Sequence, residues 1–442
     1  VESRCDRLAE RIVALLNARG RNLGWCITAV SELQHQSYHI GTEPEALRSV
    51  EDAFCLVEVY HRHETSEGPG VGVSRFHVPA SEEEDEVARC VETAVLAARL
   101  NRNRAWPLPG TGLVYPAVEA FERREADDPR AALEEAAAEI RRAAEPERDV
   151  EVSHFEIVLY DRTVRLRNSA GINLDGRTTL AVLHMVLVAG GSGRRFDIKR
   201  EIIRRRIRDF DLTRTVGEAS AFARDMLNAR LPSSGTLPVV ISHAGLDYLF
   251  DPVLSHAGAE FQFEGITRFR KGESVLPGAP GGDRLTLTSD GLLPMGTETN
   301  PFSSEGLPPA SVPILKDNVF LGPWATAEFA EAVGVSPTGP VTNLRVEPGS
   351  TPQEEMVSPG PLLWVVEFSA LLPDKVSGDF TGEIRLAYEI REGRRRPVKG
   401  GAVSGNLFDA MGRMTLSRET VFRGNYLGPA AVRFEDLTVS GA

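Results

Sequence analysis

The chain has 442 residues, with 63 acidic against 50 basic side chains and a formal net charge of −13. That length leaves room for two or three domains at roughly 150 residues each, and for a core that needs no disulfide or metal. The charge balance argues against a general nucleic-acid binder, because phosphate recognition draws on an excess of Lys and Arg.

The longest apolar runs, Ala181–Gly191 and Pro361–Val366, fall well short of the ~20 residues a membrane-spanning helix needs. The opening residues VESRCDRLAERI are charged and predict no apolar leader. Cys5, Cys26, Cys55 and Cys90 are scattered without a CxxC pair. They predict buried thiols in a reducing cytoplasm, not a disulfide framework or a zinc site.

In chain order, Cys5, Leu8, Ile12, Leu15 and Leu16 share one helical face, and Gly20 is a natural stop. Trp25–Ile40, Phe54–His63 and Val71–Val78 read as strands. Ser81 and Glu84 have the spacing of a capping box, and the acidic run after Ser81 suits a helix N-terminus. The helix that follows carries Val87, Val91, Ala94, Val95 and Ala98 on one stripe. Asp128–Pro129 starts a third helix over the alanine-rich run to Ala144. Glu151–Tyr160, Thr163–Asn168 and Thr178–Ala189 then read as strands joined by short turns. A helix over about Gly217–Arg230 places Ala219, Phe222, Ala223 and Met226 inward.

Leu231–Pro232–Ser233–Ser234–Gly235 marks the predicted domain boundary. Beyond it, Gly and Pro are frequent and short apolar runs recur: Leu237–Ile241, Ser311–Leu315, Leu362–Phe368, Ile384–Ile390 and Arg433–Val439. The expected class is α+β. An N-terminal α/β domain with mixed sheets over residues 1–230 precedes a mostly β, barrel-like domain over residues 231–442.

Residues able to carry chemistry are sparse. The only His-Glu dipeptide, His63–Glu64, has no second His at either metallopeptidase spacing. His61 and His63 share a strand face, and with His77 they are a metal candidate, although exposed strand histidines are the simpler reading. His243 and His256 bracket an apolar stretch and read as packing or surface residues. Gly190–Arg195 follows a strand but lacks the dinucleotide and P-loop patterns, so it reads as a hairpin turn. The Arg-rich run Arg194–Asp211 also carries acids and reads as a solvated face or subunit contact. No GxSxG or other nucleophile arrangement is present.

From about Arg165 onward, a series of motifs falls in a recognisable order. RLRNSAG (165–171) and FARDMLNARLP (222–232) precede SDGLLPMGTETNPFSSEGLP (289–308) and SPTGPVTNLRVEPGSTPQEEM (336–356). VSGDF (376–380), YEIREGRRRPVKGGAVSGNLFD (388–409) and the LSRE…YLGPAAVRFEDLTVSG tail (416–441) follow. This order resembles the TldD/PmbA family of zinc-metallopeptidase proteins over more than half of the chain. In that family the catalytic subunit carries HExxxH in the helix opening the second domain, and a late cysteine completes its metal site. Here the corresponding stretch, Val240–Gly258, has His243 but no His-Glu, and the tail has Phe422–Arg423–Gly424–Asn425 with no cysteine.

The chain therefore resembles the PmbA/TldE-type subunit. The resemblance implies no catalytic residue and no metal ligand on this chain. It implies a heterodimer with a TldD-like catalytic subunit that binds zinc. Its substrate would be an unfolded or modified peptide in a shared cavity, held as an extended strand. His243, Ser377, Asp379 and Asn406 are the residues expected to shape that cavity or its loops. The Ser-Gly-Asp and Ser-Gly-Asn turns suit local backbone capping. Two other readings stand beside this one. The pair could cleave a small-molecule natural-product intermediate, a theme suited to the GC-rich source that the scarcity of Lys suggests. Alternatively, the chain is a stand-alone homodimer that binds peptides.

Overall fold

The first half of the chain folds into one antiparallel sheet flanked by helices. A computed structural model describes residues 4–442 apart from 21, 67, 192–193, 244, 277, 279 and 359. Its first strands are β1 (Leu23–Ile40), β2 (Glu43–Thr65), β3 (Gly68–Pro79) and β4 (Asn103–Arg104). They are followed by β5 (Val150–Asn168), β6 (Asn173–Gly191) and β7 (Arg194–Arg204). The order is β4-β3-β2-β1-β5-β6-β7 and every pair is antiparallel. Among the described residues, parallel strand pairs occur only in the second half.

Helices α1 (Arg4–Asn17) and α2 (Glu84–Leu100) cover one part of the sheet. Their predicted apolar stripes are buried against Ile27, Val57 and Val59. Ser81 does not cap α2: the helix begins at Glu84, and Glu83 at the cap position makes no side-chain capping bond. Glu84, Asp85 and Glu86 in its first turn face the positive end of the helix dipole instead. After α3 (Arg123–Asp127), helix α4 (Pro129–Ala144) starts as the sequence predicts. Asp128 accepts from Ala131 N at 3.1 Å and Pro129 takes the first turn.

The sequence suggests a break near Asp161–Arg162, yet β5 runs unbroken through both residues. Each polar side chain meets an opposite charge on a neighbouring strand. Asp161 accepts two bonds from Arg177 of β6 at 2.8 and 2.5 Å, and Arg162 pairs with Glu32, directly opposite on β1. Cross-strand ion pairs let these residues stay in the ladder.

Helix α5 (Leu212–Asn228) packs Val216, Ala219, Ala223 and Met226 onto β6 and β7. The same core includes Val366, Leu386 and Tyr388 from the second half, so the two halves share apolar packing. Arg200 of β7 also bonds Glu367 at 2.7 Å, with both side chains largely buried.

All five apolar runs predicted beyond Leu231 are strands. The first is β8 (Gly235–Ser242). Strand Leu362–Pro373 pairs with β8, β8 with Ala431–Ser440, Ala431–Ser440 with Ala402–Asn406, and Ala402–Asn406 with Asp379–Arg391. Asp379–Arg391 pairs back to Leu362–Pro373, which closes a five-stranded barrel. Closure leaves no free edge among these five strands where they pair. A separate six-stranded sheet ends in the hairpin Thr420–Arg423/Tyr426–Pro429, with Thr420–Arg423 at its edge. The chain is therefore α+β with a barrel in its C-terminal region. No described helix is long and apolar enough to cross a membrane.

Candidate functional site

A cavity of about 430 Å³ opens where the two halves meet. Five consecutive residues of β7, Arg200–Arg204, border it. Side chains of a strand alternate between faces, so five in a row mean that the strand's edge faces the space. The hairpin residues Val421–Asn425 form the opposite border. Helix α5 adds Arg214 and Glu218, the segment after β8 adds His243, Asp247 and Tyr248, and Glu298 closes one wall. A larger opening of about 910 Å³ lies between α4 and the start of α5. Several of its polar groups are already engaged: Glu125 accepts from Ile207 N and Arg208 N, and Arg124 pairs with Glu135.

His243 sits just past the end of β8 with φ of 60°, a left-handed conformation uncommon for a residue with a side chain. That turn costs on the order of 1–3 kcal/mol and takes His243 out of the strand pattern. Its ring lies edge-on to Phe222 at 5.6 Å. Nδ1 is 2.8 Å from Ser242 Oγ, and Ser242 Oγ accepts from Trp364 Nε1 at 2.8 Å. Indole is a donor only, so this network fixes the direction of the chain of bonds. Ser242 is fully buried, and leaving its hydroxyl proton unpaired would cost about 1–3 kcal/mol. The hydroxyl therefore donates to Nδ1, which puts the imidazole proton on Nε2. Nε2 faces Glu218 Oε2 at 3.9 Å, beyond hydrogen-bond reach.

Burial pushes the His243 pKa down to about 4; Glu218 opposes this, while Arg200, Arg423 and Arg214 add to it. The ring is neutral at pH 7. Asp247 is also mostly buried, and its Oδ1 has no hydrogen bond; Arg423 Nε lies 3.9 Å away. Burial holds the Asp247 carboxyl above its usual range, although Arg423 pulls it back. Glu298 is raised for the same first reason, opposed by Arg205. The buried Arg205 guanidinium anchors that wall by donating to Thr179 O, Gly296 O and Thr299 O. On the other border, Arg204 donates to Phe422 O and stacks over the Phe422 ring at 4.9 Å.

Ser377, Asp379 and Asn406 lie elsewhere, together, in a turn where the barrel strand Asp379–Arg391 begins. Asp374 Oδ1 accepts from Val376 N and Ser377 N, and Ser377 Oγ accepts from Asp379 N. Asn406 Nδ2 donates to Ser377 O and Asp379 Oδ1, while its Oδ1 caps a short helix through Phe408 N and Asp409 N. These contacts hold loops. Of the four expected residues, only His243 borders the cavity.

The other candidates separate in space. His61 and His63 have ring centroids 6.2 Å apart, but His77 pairs in register with Leu56 and packs on Phe54. His256 is a core residue, with Nε2 donating to Val376 O and Nδ1 accepting from Arg268 N. Gly190–Gly191 enter the β6–β7 hairpin; Ser192 and Gly193 lie outside the described residues.

The cavity's donor set does not suit a zinc ion. His243 offers no free lone pair to the cavity, because Nδ1 is occupied by Ser242 and Nε2 carries the proton. Asp247 faces a guanidinium instead of a second ligand. Among the described residues no group of three or more His, Cys, Asp or Glu side chains could hold a metal. The sequence pattern missed Ser242, Trp364, Asp247 and Arg423. Their relation is visible only once β8, Leu362–Pro373 and the late hairpin are brought together.

Residues 234–441 match the family model of the PmbA/TldA metallopeptidase C-terminal domain. The likeness to the TldD/PmbA family is thus shown for the C-terminal region of the chain. Its fold is similar along almost all of its length to three solved structures. TldE from Thermococcus kodakarensis is 16% identical, with a TM-score of 0.79, and the match covers 99% of this chain and 100% of that one. A candidate modulator of DNA gyrase from Thermotoga maritima is 17% identical at a TM-score of 0.80, over 98% and 100% of the two chains. A second candidate gyrase modulator, from Bacteroides thetaiotaomicron, is 17% identical at 0.82, over 99% and 98%. At these identities the likeness speaks for the fold. The comparison with curated proteins finds no match.

Proposed function

We propose that this chain is the non-catalytic, TldE-like subunit of a heterodimeric TldD/TldE-type zinc metallopeptidase acting on unfolded or modified peptides. The observation that carries this reading is the chemistry of the cavity. The two segments that the resemblance sets against the catalytic subunit's metal-ligand stretches, Val240–Gly258 and Phe422–Asn425, both contribute residues to the border of this cavity. They bring a proton-bearing His243, a guanidinium-facing Asp247 and Arg423, which is a poor set for zinc. Zinc and the general base would belong to a TldD-like partner subunit. This chain would shape what reaches the shared space. The reading includes a cytoplasmic location, which fits four cysteines without a disulfide.

The test is to mix the chain with its TldD-like partner, measure the native mass, and assay hydrolysis of an unfolded casein peptide. A one-to-one complex that cleaves only when both chains are present supports the reading. Cleavage by this chain alone, or no complex, contradicts it.

A further inference from the structure

We infer that the His243 cavity is a carboxylate-binding site in its own right, in which His243 Nε2–H and the Arg423 guanidinium receive the two oxygens of a ligand's carboxylate.

Three observations carry this. First, the Trp364–Ser242–His243 relay commits the ring to one tautomer and leaves Nε2–H as a donor without a hydrogen-bonded acceptor. A neutral N–H of fixed direction binds an oxygen acceptor and repels a metal ion. Second, among the described residues Arg423 on the edge hairpin has only a long, 3.9 Å contact with Asp247, so its planar fork is open to a better partner. Three other arginines border the same space: Arg204 donates to Phe422 O, Arg214 pairs with Glu218, and Arg200 is held by Glu367 through Nη1, its buried Nη2 having no hydrogen bond. Third, the lining is mixed. Asp247, Glu218 and Glu298 stand beside the cations and would repel a doubly charged phosphate. They can instead accept N–H groups from a ligand that also carries a single carboxylate. Apolar Ile202, Val421 and the Phe422 ring complete the wall.

A ligand with N–H donors, one carboxylate and an extended shape that fits between two strand edges is the end of a peptide. A small free carboxylate shares the recognition chemistry. The site lies on this chain alone, so it can fail while the subunit reading stands, and the reverse.

The experiment is calorimetric titration of the full chain with three probes: N-acetyl-trialanine as the free acid, the same peptide as its C-terminal amide, and sodium propionate. We expect the acid to bind at least tenfold tighter than the amide, and Arg423→Gln to abolish that difference. Arg423 lies on an exposed-edge hairpin, so this variant tests the site without disturbing the core; Ser242→Ala, which frees the tautomer, should weaken the acid by a smaller factor. A peptide acid that outbinds propionate assigns the site to peptide ends, and equal affinities assign it to small carboxylates; both support the carboxylate site. Equal affinity for acid and amide, or no saturable binding of either carboxylate below about 1 mM, overturns it.

Discussion

Two polar clusters in this molecule differ in what they are free to do. The Ser377–Asp379–Asn406 turn is closed on itself. The polar atoms of Asn406 are spent on Ser377 O, Asp379 Oδ1 and the helix start at Phe408–Asp409. The His243 cavity is open. It keeps a strained backbone, a directed N–H, a carboxylate oxygen without a hydrogen bond and a loosely paired guanidinium. Buried polar groups are normally satisfied, so the unsatisfied cluster is the one that awaits a ligand. The satisfied cluster holds the barrel's rim.

The largest effect is expected for Arg205→Leu, which removes the donor to three carbonyls on the cavity wall. Equilibrium urea unfolding should show a loss of about 3 kcal/mol or more, because buried acceptors are left bare. Asn406→Ala should cost about 1–2 kcal/mol by the same measurement, since it removes a helix cap and the turn's bridge. It should leave discrimination between peptide acid and amide unchanged. A shift in that ratio would place the turn in the site.

The His243 ring gives a pH test. Its folded pKa of about 4 lies below the usual value of 6.5. Between those values the unfolded chain binds a proton that the folded chain refuses, so stability falls as pH drops through this window. Asparagine tolerates the left-handed backbone, so His243→Asn should keep the fold and flatten the slope between pH 6.5 and 4 by about 1–3 kcal/mol in all. An unchanged slope means that His243 is not held neutral by burial. The smallest effect belongs to Glu218→Gln. Losing its largely exposed pair with Arg214 should cost about 0.5 kcal/mol or less. Because Glu218 is the one group raising the His243 pKa, the variant should lower it further in an NMR titration.

Much of the fold was legible in the sequence. The stripes of α1, α2 and α5 and the five apolar runs of the second half carry their burial in their spacing, and the structure places them accordingly. The breaks were less legible. Asp161–Arg162 looks like a turn because its partners, Arg177 and Glu32, lie on other strands. Ser81 looks like a cap because its spacing to Glu84 is right, whereas α2 starts three residues later. The site was the least legible. His243 stood out as a lone histidine, but its tautomer depends on Trp364, 121 residues away, and the counter-charge of the neighbouring Asp247 is Arg423 in the last hairpin. Barrel closure and the shared core create those contacts, and local pattern does not encode them.

On the reading proposed above, this chain's cavity receives an oxygen acceptor and leaves zinc to another subunit. Nitrogen-15 labelling of histidine in the isolated chain tests it most directly, by following the His243 Nε2–H signal as zinc chloride is added. The account predicts an Nε2–H tautomer at neutral pH that stays in place, with no stoichiometric zinc retained after dialysis. Loss of that proton with one zinc bound per chain would contradict it.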